Sequence, residues 1–323
     1  MRDLILGIDT SNYTTSAALV SLDGSVVKDE RKLLDVKQGE RGLRQQEALF
    51  QHIRNMPEII DEICDIPGVK ERIAAVSVST KPRPQDGSYM PVFMAGESFA
   101  KAFSRLLVVP LYCFSHQEGH IYAAAHRTKL ENSARYIMFH LSGGTTECVL
   151  CERTENGCNY SIVGGTKDIS FGQLIDRAGV AMGYGFPTGK ELDRIAATGS
   201  EVGKTKTMLP KIKIIDGYIN LSGIETACQR SIENHVPETE ITVSLFSRIA
   251  EAITGMAEYL SDKYKTANVL LAGGVSASRY LRSEIGKKYP GIVFGEPGLS
   301  SDNAVGTALL GREEYGLKTD KSK

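Results

Sequence analysis

The period of the hydrophobic positions divides the chain before any chemistry is considered. Leu4 to Asp9 is a continuous apolar run, and Thr14 to Ser21 is a second, rich in Ala, Val and Thr. Asp23-Gly24 is a hairpin turn signal and Ser25 to Glu30 continues beyond it, so the chain opens as a strand meander. From about Leu43 to Cys64 apolar residues recur at helical spacing, and Ile73 to Ser79 reads as a buried strand. Pro82, Pro84 and Asp86-Gly87 mark a loop. Val92 to Leu106 predicts a helix, Leu107 to Cys113 a strand, and Ser115 to about His126 a helix. The opening pattern then returns. Ala134 to Leu141, Cys148 to Cys151 and Tyr160 to Val163 predict three strands, joined by Ser142-Gly-Gly-Thr-Thr-Glu147 and a turn near Asn156-Gly157. Beyond them come a helical stretch from Phe171 to Thr198 broken at Pro187 and an irregular basic piece from Lys204 to Gly217. A long helix from about Glu240 to Lys265, a strand Val269 to Ala272 and a helix Ala277 to Lys287 follow. A last helix begins after Ser300-Ser-Asp-Asn303.

Strand, small-residue turn, strand, turn, strand thus occurs twice, which predicts two related α/β lobes. The expected division is 1–132 and 133–323, with the last helix, about 303–316, packing back on the N-terminal lobe. At 323 residues the chain has room for two full cores. Charged residues make up 24%, apolar residues 41%, and the formal net charge is -1, which argues against nucleic-acid binding by the whole surface but not by a local patch. No stretch approaches the roughly 18 apolar residues of a membrane span. The N-terminus runs straight into a strand without a secretion segment, so no membrane is expected and the expected location is the cytoplasm. The six cysteines show no disulfide framework, and Cys148-x-x-Cys151 lies in a strand where the two thiols point oppositely.

Two histidines, His116 and His120, are four residues apart in Ser115-His-Gln-Glu-Gly-His. On a helix their imidazoles stack on one face and form half of a metal site; a solvent-facing pair is the plain alternative. Three turns follow strands: Asp9-Thr-Ser11, Ser142-Gly-Gly-Thr-Thr146 and Ala272-Gly-Gly-Val-Ser-Ala277. Glycines let backbone amides approach phosphate oxygens, and the third turn opens a helix, a geometry that suits a nucleotide. A single Gly-Gly is most often a tight turn; two turns in a repeated strand unit and a third at a strand-to-helix junction are harder to dismiss. Together they resemble the actin, sugar-kinase and heat-shock-chaperone ATPase fold, in which a nucleotide sits between two duplicated lobes.

The chain also resembles, nearly end to end, the transferase family that makes threonylcarbamoyladenosine in tRNA, formerly labelled sialoglycoprotein endopeptidases. Leu6-Gly-Ile-Asp-Thr-Ser11 is similar to its opening strand, His116 to His120 to its H-x-x-x-H metal motif, and Leu141-Ser-Gly-Gly144 to its second turn. Asp168-Ile-Ser-Phe-Gly-Gln-Leu-Ile-Asp176 resembles D-D-x-x-G-x-x-x-D with Ile169 for the second aspartate. Phe186 to Asp193, Leu221 to Thr226, Ala272 to Arg279 and Ser301-Asp-Asn303 match further segments. The resemblance implies a divalent metal, iron or zinc, on His116, His120 and Asp302. It implies ribose contacts from Asp176, Gly189 and Asp193, and contacts to the phosphate and acyl part of the donor from Leu141, Ser142, Gly143 and Gly144. It places an adenosine turn at Gly273, Gly274 and Ser278. The implied donor is an adenylated small molecule, threonylcarbamoyl-adenylate; the implied acceptor is the N6 amine of a tRNA adenosine beside the anticodon, with partner subunits of a tRNA-modification complex.

Departures cluster at that site. Tyr13 and Thr14 replace two acids of the opening motif, Thr145 a histidine, Thr188 a glycine, Glu225 a lysine and Ser278 an asparagine. This pattern fits a divergent paralogue. Asp9 is the candidate for a polar or basic catalytic role near the acceptor. Lys204, Lys206, Lys211 and Lys213 form either an RNA-facing strip or a solvated loop. The alternative functions are a carbamoyl or acyl transferase with another acceptor, and a non-catalytic nucleotide-binding scaffold. The protease label is the weakest reading, because His-Gln-Glu-Gly-His is not H-E-x-x-H: the glutamate is one position late.

Overall fold

A computed structural model of the chain describes residues 2–11, 13–36, 43–85, 87–154, 157–202 and 208–320. The expected roles of Asp86, Asn156, Lys204 and Lys206 lie outside the described residues. The chain forms two compact units, Met1–Ala124 with Ser301–Lys323, and Ala125–Ser300.

The first unit begins with β1 (Leu4–Asp9), β2 (Thr14–Ser21) and β3 (Val26–Leu33), an antiparallel meander. Helix α1 (Gln45–Cys64) and the single turn α2 (Val69–Arg72) lead to β4 (Ile73–Lys81). Helix α3 (Phe93–Leu107) and β5 (Leu111–Ser115) follow, and α4 (His116–Ala125) starts directly from β5. The sheet order is β3-β2-β1-β4-β5, with β1, β4 and β5 parallel. Alternation along β1 assigns its two faces. Leu4, Leu6 and Ile8 join a core with Met56, Ile59, Ile63 and Ala100 from α1 and α3. Ile5, Gly7 and Asp9 face the other way.

The second unit repeats the plan. β6 (Arg135–Leu141), β7 (Thr146–Thr154) and β8 (Gly157–Thr166) form the meander. Helices α5 (Phe171–Ala181) and α6 (Gly189–Val202), the short β9 (Tyr218–Ile219), and helices α7 (Ser222–Glu233) and α8 (Glu238–Tyr264) come next. β10 (Val269–Ala272), α9 (Arg279–Lys288) and β11 (Ile292–Phe294) complete it. The order β11-β10-β6-β7-β8 mirrors β5-β4-β1-β2-β3, and β9 extends the sheet beyond β8. The core is built on α8, where Leu245, Phe246, Ile249, Ile253, Met256 and Leu260 are fully buried. The last helix, α10 (Val305–Asp320), packs in the first unit on the β1 face that carries Gly7, whose missing side chain leaves room for Ala304 and Ala308.

Several elements differ from the sequence reading. Leu107 ends α3 rather than starting a strand: Val108 turns into the left-handed region at φ 53°, Val109 N–H bonds to Ser104 O, and Pro110 delays the strand to Leu111. The helical preference of Leu107 and the left-handed cap at Val108 prevail there over the β-preference of the two valines. Helix α7, β9 and β11 carry too few apolar residues in too short a stretch to stand out by period. All six cysteines are free thiols.

Candidate functional site

Helix α4 begins at His116 because Ser115 and Glu118 form a capping box. The Glu118 N–H donates to Ser115 Oγ (3.3 Å), and the Ser115 N–H donates back to Glu118 Oε2 (2.7 Å). The glutamate between the histidines is therefore an end cap, and the S-x-x-E spacing was the signal for it. The capped first turn sets the imidazoles of His116 and His120 side by side, edge to face, with ring centroids 4.3 Å apart.

Asp302 reaches them through a glycine pair. A Cβ on Gly306 would lie 1.8 Å from the Gly119 carbonyl oxygen, so α4 and the start of α10 meet backbone to backbone. Asn303 Oδ1 accepts from the Val305 and Gly306 amides, and its Nδ2 donates to Ser301 O. Arg31 Nη1 donates to Ser301 Oγ (2.8 Å). This braced turn sets Asp302 Oδ1 3.3 Å from His116 Nε2 and 3.2 Å from His120 Nε2. One ligand atom from each residue lies within 4.8 Å of the other two.

Asp9 stands behind His116. Its Oδ2 accepts from His116 Nδ1 at 2.8 Å and from the Ser79 hydroxyl; its Oδ1 accepts from the Ser11 amide and hydroxyl. The side chain is 1% exposed. Asp9 thus holds a proton on His116 Nδ1 and leaves Nε2 turned to Asp302. The neighbouring Thr10 is also engaged, donating to Val92 O and accepting from the Gly96 amide, so the Asp9-Thr-Ser11 turn braces α3 and α4.

Burial raises the carboxyls of Asp9 and Asp302, but the charge and hydrogen bonds of the histidines outweigh it and hold both below the usual range. For His116, burial disfavours the cation, yet Asp9 and Asp302 raise the ring to about 10. Burial and the charge on His116 lower His120. Two carboxylates against one imidazolium leave the cluster net negative, which favours a cation in place of the proton. Two imidazole nitrogens and a carboxylate, with a carboxylate behind one ring, fit iron(II) or zinc.

The second unit gathers the glycine turns. Gly273 has φ +96°, and a Cβ there would lie 2.4 Å from Leu141 O; a Cβ on Gly172 would lie 2.5 Å from Gly143 Cα. The ends of β6 and β10 and the start of α5 therefore converge. Ser142 and Thr145 close their turn by Ser142 N–H to Thr145 O and Thr145 N–H to Ser142 Oγ. Gly143, Gly144 and Gly274 are exposed, and a Cβ on any of them meets nothing within 4 Å, so their backbone is open to a ligand. The α5 terminus is itself closed: Ser170, Phe171 and Gln173 amides already have acceptors.

The carboxylates of this unit serve its frame. Asp193 accepts from Ser278 Oγ and from the Arg279 and Tyr280 amides, starting α9. Asp176 Oδ1 accepts from the Thr188 amide at 2.8 Å and its hydroxyl at 3.3 Å, just ahead of Gly189. Gly179 makes room for the Thr188 side chain, and Glu225 pairs with Arg177 Nη1 at 3.1 Å, so with Ser278 three of the changed positions have side-chain partners. Asp168, singled out by sequence only as part of a motif, clamps the Leu221 and Ser222 amides. Burial opposes its charge, but these backbone bonds prevail and lower it to about 2.

A family model described as "TsaD: tRNA N6-adenosine threonylcarbamoyltransferase" matches residues 31–309. A protein of that name from Thermosipho africanus is 27% identical over 331 residues, covering 99% of this chain and 97% of the relative. Another from Syntrophomonas wolfei is 29% identical, covering 98% and 94%. Among solved structures, HypF of T. kodakarensis shares 15% identity at a TM-score of 0.59, over 97% of this chain and 48% of that one. Component A of the Acidaminococcus fermentans (R)-2-hydroxyglutaryl-CoA dehydratase shares 14% at 0.56, over 97% and 99%. At these identities the solved structures show a common fold.

Proposed function

This chain belongs to the tRNA N6-adenosine threonylcarbamoyltransferase family, and from that premise we propose that it transfers a threonylcarbamoyl group to the N6 amine of a tRNA adenosine. The donor is threonylcarbamoyl-adenylate. The amine attacks the carbamoyl carbon, the bond from that carbon to the phosphate oxygen breaks, AMP leaves with the electron pair, and the amine gives up a proton. His116, His120 and Asp302 would hold a divalent cation, iron or zinc, which would supply Lewis-acid polarisation of a substrate oxygen.

The chain's own groups do the positioning. Asp9 keeps the His116 ring in the ligating tautomer. The open amides of Gly143 and Gly144 bind the phosphate, and Gly273, Gly274 and Ser278 border the adenosine. Asp176, Gly189 and Asp193 shape the ribose end, Asp176 with the carboxylate oxygen that Thr188 does not occupy. The observation that carries this reading is the meeting of His116, His120 and Asp302 at the positions of the family's metal motif. Local partners for Thr188 and Glu225 support an adapted, divergent member rather than a decayed one.

The test is to incubate the purified chain with threonylcarbamoyl-adenylate and unmodified tRNA, and to analyse the nucleosides by mass spectrometry. Threonylcarbamoyladenosine is the expected product. Adenylate consumed without that nucleoside would favour another amine or hydroxyl acceptor, and nucleotide binding without turnover would favour a scaffold.

A further inference from the structure

In the second unit, Lys167, Lys211 and Lys213 line one cavity of about 340 Å³, with Tyr218, Ile215 and Asn220 among its other walls. No carboxylate lines it, and among the described residues none of the three ammonium groups makes an ion pair. Three unpaired cations in one concavity stand out on a chain whose net charge is -1. Like charges so gathered repel unless an anion lies between them.

The lysines are placed by the fold. Ile212 and Ile214 pack on the core of the unit, while Lys211, Lys213 and Ile215 point outward, so the two ammonium groups share a side of the segment. Their spacing, about 6.6 Å along an extended chain, is comparable to the step between successive phosphates of a stretched nucleic-acid strand. Lys167 continues β8, and its N–H donates to Ile219 O (3.0 Å). Its ammonium lies 5.3 Å from the centre of the Tyr218 ring. Asp168, beside it, ties this edge to Leu221 and Ser222. Two residues further on, Ser170 Oγ donates to Gly143 O (2.6 Å), so the cavity wall and the open Gly143 turn belong to one braced segment.

We propose that this cavity binds the sugar-phosphate backbone of tRNA, Lys211 and Lys213 taking successive phosphates and Lys167 with Tyr218 a third phosphate and an adjoining base or ribose face. The ring and the exposed Ile215 favour RNA over an acidic peptide, because a base or ribose offers a flat apolar face beside its charge. The proposal rests on the reading that tRNA is the acceptor.

The experiment measures binding of unmodified tRNA to the full chain across a salt series, for the wild type, for Lys167→Gln, and for the double variant Lys211→Gln, Lys213→Gln. All three lysines are exposed, so the variants fold, and their melting temperatures check it. The double variant is expected to bind about tenfold more weakly at low salt, with a log-affinity against log-salt slope shallower by about 2. Lys167→Gln is expected to reduce the slope by about 1. Wild-type affinity and slope in the variants would overturn the proposal alone. A wild type that binds no tRNA at any salt would overturn both the proposal and the tRNA reading. Polyglutamate held by the wild type and lost by the double variant, with tRNA binding unchanged, would give the cavity to an acidic protein instead.

Discussion

Asp9 is the carboxylate that orients His116 in the proposed metal site. By accepting from His116 Nδ1 it keeps Nε2 turned toward Asp302. Asp9→Asn would present an amide donor to the ring, drive its proton onto Nε2 and block the ligating atom. Affinity for zinc or iron(II) should fall about 10- to 100-fold, measured by metal titration, while far-ultraviolet circular dichroism stays unchanged; undiminished metal affinity would remove Asp9 from this role. The histidine pair was legible in the sequence because four-residue spacing on a helix is a local signal. Asp9 was legible as a polar residue at a strand end but not as a partner of His116, since the two are 107 positions apart and only the sheet brings them together. Asp193 and Ser278 are similar: the family resemblance put one at the ribose and the other in the adenosine turn, and the structure makes each the other's hydrogen-bond partner.

Among the elements, the contact of α4 with α10 and the clamp on α7 carry separate consequences. Gly306→Ala would put a methyl group into the Gly119 carbonyl. The expected cost is about 1–3 kcal/mol of stability, with metal affinity lost as Asp302 is pushed away from the histidines. Denaturant unfolding and metal titration on the same variant check both, and a variant that binds metal normally would show that the helix contact does not position Asp302. Asp168 sits at the start of α7 with its folded value lowered to about 2 from 3.8. A carboxyl depressed on folding stabilises the protein above its unfolded value, and that contribution is lost as the pH falls through the folded value. Asp168→Asn should therefore melt at a lower temperature than the wild type at pH 6, and the gap should close between about pH 4 and pH 2. A gap independent of pH would mean that the charge of Asp168 contributes nothing. Most strands and long helices were legible from period. The end of α3, α7, β9 and β11 were not, because their form is decided by caps and by neighbours distant in sequence.

Across the whole molecule, the same meander followed by parallel strands is built twice, and the repeat was visible because each copy carries its own run of strands and small-residue turns. What the sequence could not convey is the convergence of the turns within each unit, which depends on glycines facing glycines or carbonyls far apart along the chain. Binding at His116, His120 and Asp302 should also register in global stability. A divalent ion at about 100 times its dissociation constant should stabilise the fold by about 2.7 kcal/mol, and His120→Ala should abolish that gain in a thermal melt. The most direct measurement is single-turnover formation of threonylcarbamoyladenosine by metal-stripped protein, before and after one equivalent of zinc or iron(II), in the wild type and in Asp302→Ala. Activity restored by the ion in the wild type and absent from Asp302→Ala is the predicted result; full activity in stripped protein, or an Asp302→Ala variant that responds to metal like the wild type, would contradict it.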